Sequence, residues 1–140
     1  RRVLFRSPLS GYLCTGAYLC RGIVPSGEAF NFGPKTELTK TVLELTEDMA
    51  SYWELKKDKV IRISDSIPFE EAQLLKLNCD KALIYLNWHS TLNYEQTVRL
   101  IAEWYLTYNK KSHRDMYQVS IEQIKYYMIE AASQNLKWAL

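Results

Sequence analysis

Apolar and polar positions follow two different periods along the chain. From Pro8, the stretch PLSGYLCTGAYLCRG spaces Leu9, Tyr12, Leu13, Ala17 and Leu19 as on one helix face, and Gly22 follows as a stop. Gly11 and Gly16 weaken that helix but permit close approach of a neighbouring element. The segment EAFNFGP reads as a short strand over Ala29 to Phe32, halted by Gly33-Pro34. TELTKTVLELTEDMASYW then places Leu38, Val42, Leu45, Met49 and Trp53 at steps of three and four, an amphipathic helix with its acidic residues toward water.

Period two returns in KVIRIS, a strand, and Pro68 with Glu70-Glu71 makes a turn before LLKLN, a third short strand. Asn78 stands at an N-cap position, with Asp80 in the first turn of a short helix whose apolar face is Leu83 and Leu86. Asn87 suits the left-handed position that closes it. The longest helix pattern starts at Asn93 and Gln96, a capping-box pair, and buries Val98, Ile101, Ala102, Tyr105 and Leu106. A last helix opens around Ser120 and Gln123. The expected fold is a small α/β domain, rich in helix, with a few short strands.

Composition changes this picture little. The 140 residues fit one domain or a piece of a larger one, and 47% apolar with 24% charged residues is ordinary for a globular chain. Eighteen basic against sixteen acidic residues leave a net charge of +2, which gives no case for nucleic acid. Lys110-Lys111-Ser112-His113-Arg114 reads as a solvated loop. The pattern has no apolar run of about 18 residues, so a membrane span is not expected. Cys14, Cys20 and Cys79 lack the pairing of a zinc site and fit reduced thiols in the cytoplasm. His89 and His113 are isolated. Glu70 and Glu71 are adjacent in an extended segment and face opposite sides, so they make no acid–base pair. The residues alone assign no chemistry. RRVLFRS, residues 1–7, matches a translated sequencing adapter and is expected to be foreign to the protein; a biological codon run in the source DNA would sink that expectation.

Four segments in register change the prior. PLSGYL (8–13), FNFGP (30–34), EAQLLKLNCDKALIYLNW (71–88) and AEWYLTY (102–108) resemble the substrate domain of extended short-chain dehydrogenases acting on nucleotide sugars. Pro-Leu-Ser-Gly-Tyr-Leu, Asn-Phe-Gly-Pro and Glu-Ala-x-x-Leu-Lys-Leu together look most like the CDP-glucose 4,6-dehydratases. The resemblance covers residues 8–108 and leaves 109–140 as a helical tail. It implies the C-terminal, substrate-binding part of an NAD-dependent lyase whose Rossmann domain lies outside these residues.

In such an enzyme hydride leaves C4 of the glucose, water is lost across C5 and C6, and the hydride returns to C6. The implied catalytic Tyr-x-x-x-Lys belongs to the Rossmann half, so alone this chain is expected to bind no NAD and to turn over nothing. The resemblance also implies a cytoplasmic homodimer, no nucleic-acid or membrane partner, and a role in bacterial surface polysaccharides. Glu71 is the favoured substrate contact, with Gly33 and Pro34 shaping the adjoining loop. Asn31 must satisfy its amide either on substrate or on a neighbouring loop. The family's His before Glu-Ala is Glu70 here, and its usual Asp is Asn78. Leu86 and Trp88 are expected to pin the short helix. Two other readings stay open: another nucleotide-sugar epimerase or dehydratase, and a non-enzymatic interaction module using the tail from Ser120.

Overall fold

A computed structural model describes residues 6–34, 40–53, 77–109 and 115–136. Every regular element among them is a helix: α1 (Arg6–Cys20), α2 (Val42–Tyr52), α3 (Asp80–Leu86), α4 (Tyr94–Asn109) and α5 (Met116–Ser133). The expected α/β fold is thereby overturned. Ala29 to Phe32 forms no strand, and among the described residues no other strand is present to complete a ladder with it. Its Phe30 and Phe32 side chains join the packed core instead. The KVIRIS strand, most of LLKLN, the Pro68 turn and the Lys110–Arg114 loop lie outside the described residues.

The helix ends follow their local chemistry. Thr41 and Glu44 form a reciprocal capping box at the start of α2, and these bonds hold the Glu44 carboxyl below its usual range. Asn93 and Gln96 do the same for α4, as their spacing predicts. Asn87 (φ 49°) closes α3 in the left-handed region and Gly22 (φ 66°) follows α1. Asp115, not Ser120, caps α5, its carboxylate accepting from the Tyr117 N–H at 2.9 Å. Ser120 and Gln123 lie inside that helix: Ser120 accepts from Trp104 Nε1, and the buried Gln123 donates to the Leu100 carbonyl at 2.7 Å.

Two apolar clusters organise the fold. In the first, Val24, Phe32, Ala82, Leu86 and Trp88 are buried, with Cys14, Tyr18 and Phe30 packed on them. This joins α1, the 24–32 loop and α3. Leu86 and Trp88 are each 2% exposed, as anchors of the short helix should be, whereas Leu83 faces solvent and Ala82 takes its place inside. The second cluster sets Leu92 and Leu100 against Tyr127, with Tyr126 at its edge, and joins α4 to α5. Packed on α4, α2 is fixed by Trp53 Nε1 donating to the Ala102 carbonyl at 2.9 Å and by Tyr94 O–H donating to Asp48 at 2.8 Å.

The phase of α1 is opposite to the expected one. Gly11 is buried and Cys14, Thr15 and Tyr18 are half-buried, while Leu9, Tyr12, Leu13, Ala17 and Leu19 are all exposed. Gly11 faces the core because a side chain there cannot fit: a Cβ would stand 2.3 Å from Phe32 Cδ1.

Candidate functional site

The Asn31–Pro34 segment meets the turn that opens α3. Phe32 anchors it, its ring 4.8 Å from that of Trp88 in an edge-to-face arrangement and 5.7 Å from that of Tyr12. With Phe32 inward, period two carries the Asn31 side chain outward, where its Nδ2 donates to the Asn78 carbonyl at 3.2 Å. Gly33 is buried against Leu77 and Cys79, and the Cys79 thiol donates to the Leu77 carbonyl at 3.8 Å. Burial pushes the Cys79 thiol up, so it stays a neutral thiol in this turn. Pro34 is exposed at the edge.

On the facing side the cap is built one residue later than its sequence position predicts. Cys79 precedes α3, and Asn78 instead accepts from the Asp80 N–H at 2.8 Å while its amide donates to the Asp80 carboxylate at 3.0 Å. Next to it, Lys81 pairs with Glu28 and sits over the Phe30 ring at 5.1 Å. Asn31, Asn78, Asp80, Lys81 and Glu28 thus present two amides, two carboxylates and one ammonium along one exposed edge. Amide, carboxylate and ammonium groups of this kind can hydrogen-bond the hydroxyl and amide groups of a polar ligand. It holds no nucleophile paired with a base.

Of the sequence-chosen residues, the structure brings Asn31 and Gly33 together with the 77–81 turn and sets Pro34 beside them. Glu71 and Glu70 lie outside the described residues. Asn31 gives one amide hydrogen to the Asn78 carbonyl. His89 lies in the loop after α3, its Nδ1 3.3 Å from the Ser90 carbonyl. Among the described residues no group of three His, Cys, Asp or Glu could hold a metal ion.

Behind this edge runs a polar chain that the sequence patterns do not reveal. Ser10 Oγ on α1 accepts from Trp88 Nε1 at 3.0 Å and from Tyr127 O–H at 2.9 Å, and Tyr127 accepts from Thr91 at 3.0 Å. Gln134 Nε2 then donates to the Thr91 carbonyl at 2.8 Å. The tail is therefore bonded to the first helix across 117 residues of sequence. A separate open groove of about 320 Å³ lies between α4 and α5, where Arg99, bonded to Glu103, lies over the Tyr126 ring. All its lining residues belong to those two helices, so it is distinct from the Asn31 edge.

The chain is 31% identical over 121 residues to a CDP-glucose 4,6-dehydratase from Salmonella typhimurium. The match takes in 86% of this chain but 33% of the relative, so the chain spans about a third of the length of that protein. It supports a distant relationship to the CDP-glucose 4,6-dehydratases. No protein-family profile matches the chain, and no solved structure matches it. Among the described residues no helix is long and apolar enough to cross a membrane.

Proposed function

We propose that this chain is the substrate-binding portion of an NAD-dependent CDP-glucose 4,6-dehydratase, which converts CDP-glucose to CDP-4-keto-6-deoxyglucose and water. The observation that supports this most is the coincidence of the dehydratase match with the one edge where Asn31, Gly33 and the 77–81 turn converge. In this reading the second Asn31 amide hydrogen, the Asn78 side chain and Lys81 meet the nucleotide sugar, with Glu71 completing the contact. Gly33 and Pro34 shape the backbone around it.

In this reading NAD, which supplies the hydride acceptor and donor of this reaction, is held by polypeptide outside these residues, and the chain alone turns over nothing. The working enzyme in this proposal is a cytoplasmic homodimer without nucleic-acid or membrane partners.

The test is a titration of the isotope-labelled chain with CDP, UDP and GDP, followed by amide chemical shifts. Shifts at Asn31, Gly33 and 78–81 that are largest with CDP, and lost in Asn31→Ala, are expected. Equal shifts with all three point to another nucleotide-sugar enzyme, and no shift at these residues overturns the site.

A further inference from the structure

We infer that the edge formed by Asp80, Asn78 and Asn31 reads the base of the nucleotide, and that Asp80 is the residue that selects cytosine. This rests on the functional reading above and deepens it, from a nucleotide-sugar site to the groups that choose the base.

The orientation of both amides is fixed by what they bond. A carbonyl can only accept, so Asn31 presents Nδ2 to the Asn78 carbonyl, at 3.2 Å. Asp80 gives its N–H to Asn78 Oδ1 at 2.8 Å, and its carboxylate accepts from Asn78 Nδ2 at 3.0 Å. The Asn78 amide can therefore stand only one way round. Each amide nitrogen carries two hydrogens and gives one to these partners. A ligand is left one hydrogen on Asn78, one on Asn31, and the remaining lone pairs of the Asp80 carboxylate. Lys81 does not take that carboxylate, because its ammonium is paired with Glu28 and sits over the Phe30 ring. Asn31, Asn78 and Asp80 are all exposed.

Followed along the bonds from Asp80 through Asn78 to Asn31, these groups run acceptor, donor, donor. The pairing edge of cytosine is the complement: its N4 amine donates, and N3 and O2 accept. Uracil sets an acceptor, O4, against the Asp80 carboxylate and a donor, N3–H, against the Asn78 amide. Only its O2 is met. Guanine opposes all three groups, and adenine meets Asp80 and Asn78 but offers nothing to Asn31. The array therefore ranks the bases as cytosine, adenine, uracil, guanine. The choice between the two pyrimidines falls on Asp80, since a carboxylate accepts from the cytosine amine and repels the uracil oxygen. Lys81 is a point charge that serves any phosphate alike, so it adds affinity without adding to the choice.

The test is a chemical-shift titration of the 140-residue chain with the four nucleoside monophosphates, which share ribose and phosphate and differ in the base. It is read at the side-chain amide signals of Asn31 and Asn78. CMP is expected to bind about tenfold more tightly than UMP, with AMP between them and GMP weakest. Asp80→Asn puts an amide N–H within reach of O4, so the preference for CMP over UMP should vanish or invert. Lys81→Gln should weaken all four alike and keep their order. If Asp80→Asn does not fold, the N4,N4-dimethyl form of CMP takes its place: it lacks the amine hydrogens and should bind no better than UMP. A preference for CMP that survives Asp80→Asn, or dimethylated CMP bound as tightly as CMP, overturns the inference and leaves the nucleotide site standing. Equal binding of CMP and UMP to the parent chain does the same. No shift with any of the four removes the site itself, and the functional reading with it.

Discussion

Replacing Tyr127 by phenylalanine tests whether the tail belongs to the same folded body as α1. The hydroxyl donates to Ser10 at 2.9 Å and accepts from Thr91 at 3.0 Å, and the ring is 8% exposed. Phenylalanine keeps the packing with Leu92 and Leu100, so the change isolates the polar contribution. Thr91 is 3% exposed and loses its acceptor in a place that water does not readily reach. Two intramolecular bonds at about 0.5–1.5 kcal/mol each, with part of the desolvation cost of Thr91 left uncompensated, give a loss of about 2 kcal/mol. For a domain of this size that lowers Tm by about 4–8 °C. Urea unfolding followed by tryptophan fluorescence reads it directly, because Trp88 donates to the same Ser10 oxygen. A double-mutant cycle with Ser10→Ala should return a coupling of about 1 kcal/mol. Tyr117→Phe, on a tyrosine that is 71% exposed, is the control and should stay within about 0.5 kcal/mol of the parent. If Tyr127→Phe is no worse than Tyr117→Phe and the cycle shows no coupling, the tail is not held to α1 by this chain of bonds.

Two glycines in α1 should respond oppositely to alanine. Gly11→Ala forces a methyl into the Phe32 ring, which Tyr12 and Trp88 hold in place, and should destabilise by about 1–2 kcal/mol net of the helix-propensity gain. Gly16→Ala meets open space and should stabilise by about 1 kcal/mol; equal shifts in one direction would contradict the packing of α1. Tyr94 titrates above the ordinary tyrosine range, first because of burial and then because of its bond to Asp48. Its contribution to stability is full below about pH 10, the value in the unfolded chain, and is lost as pH rises toward the folded value. Tyr94→Phe should therefore flatten the alkaline side of the stability profile; an unchanged profile in thermal melts between pH 9 and about pH 11 refutes this.

The legible parts of the fold were those with a local signal. Asn93 and Gln96 announce α4 because a capping box is written within four residues, and Asn87 announces the end of α3 because few other residues tolerate positive φ. Trp88 is legible as an anchor since a large apolar ring after a short helix has few other places to go. The phase of α1 was not legible, for a physical reason: apolar residues on all sides give a period without a direction. The expected strand at Ala29 to Phe32 failed similarly, since alternation shows which side chains face inward and says nothing of whether a second strand lies alongside. Ser10 and Tyr127 stand 117 positions apart, and no periodicity links two hydroxyls at that distance.

These observations tie α1 to the Asn31 edge. Its inner side supports the Asn31 edge through two contacts of different kinds. Gly11 lets the helix backbone come against Phe32, whose neighbours Asn31 and Gly33 carry the edge. Ser10 holds Trp88, which is packed against the same Phe32 ring. Breaking the second contact should therefore loosen the edge without touching it. Ser10→Ala removes the acceptor of Trp88 Nε1, a loss of about 1 kcal/mol. Amide hydrogen exchange at Asn31 and Gly33 should speed up about fivefold where it proceeds by local opening. Unchanged exchange at both would mean that the edge is fixed by the Phe32–Trp88 packing alone, and that α1 transmits nothing.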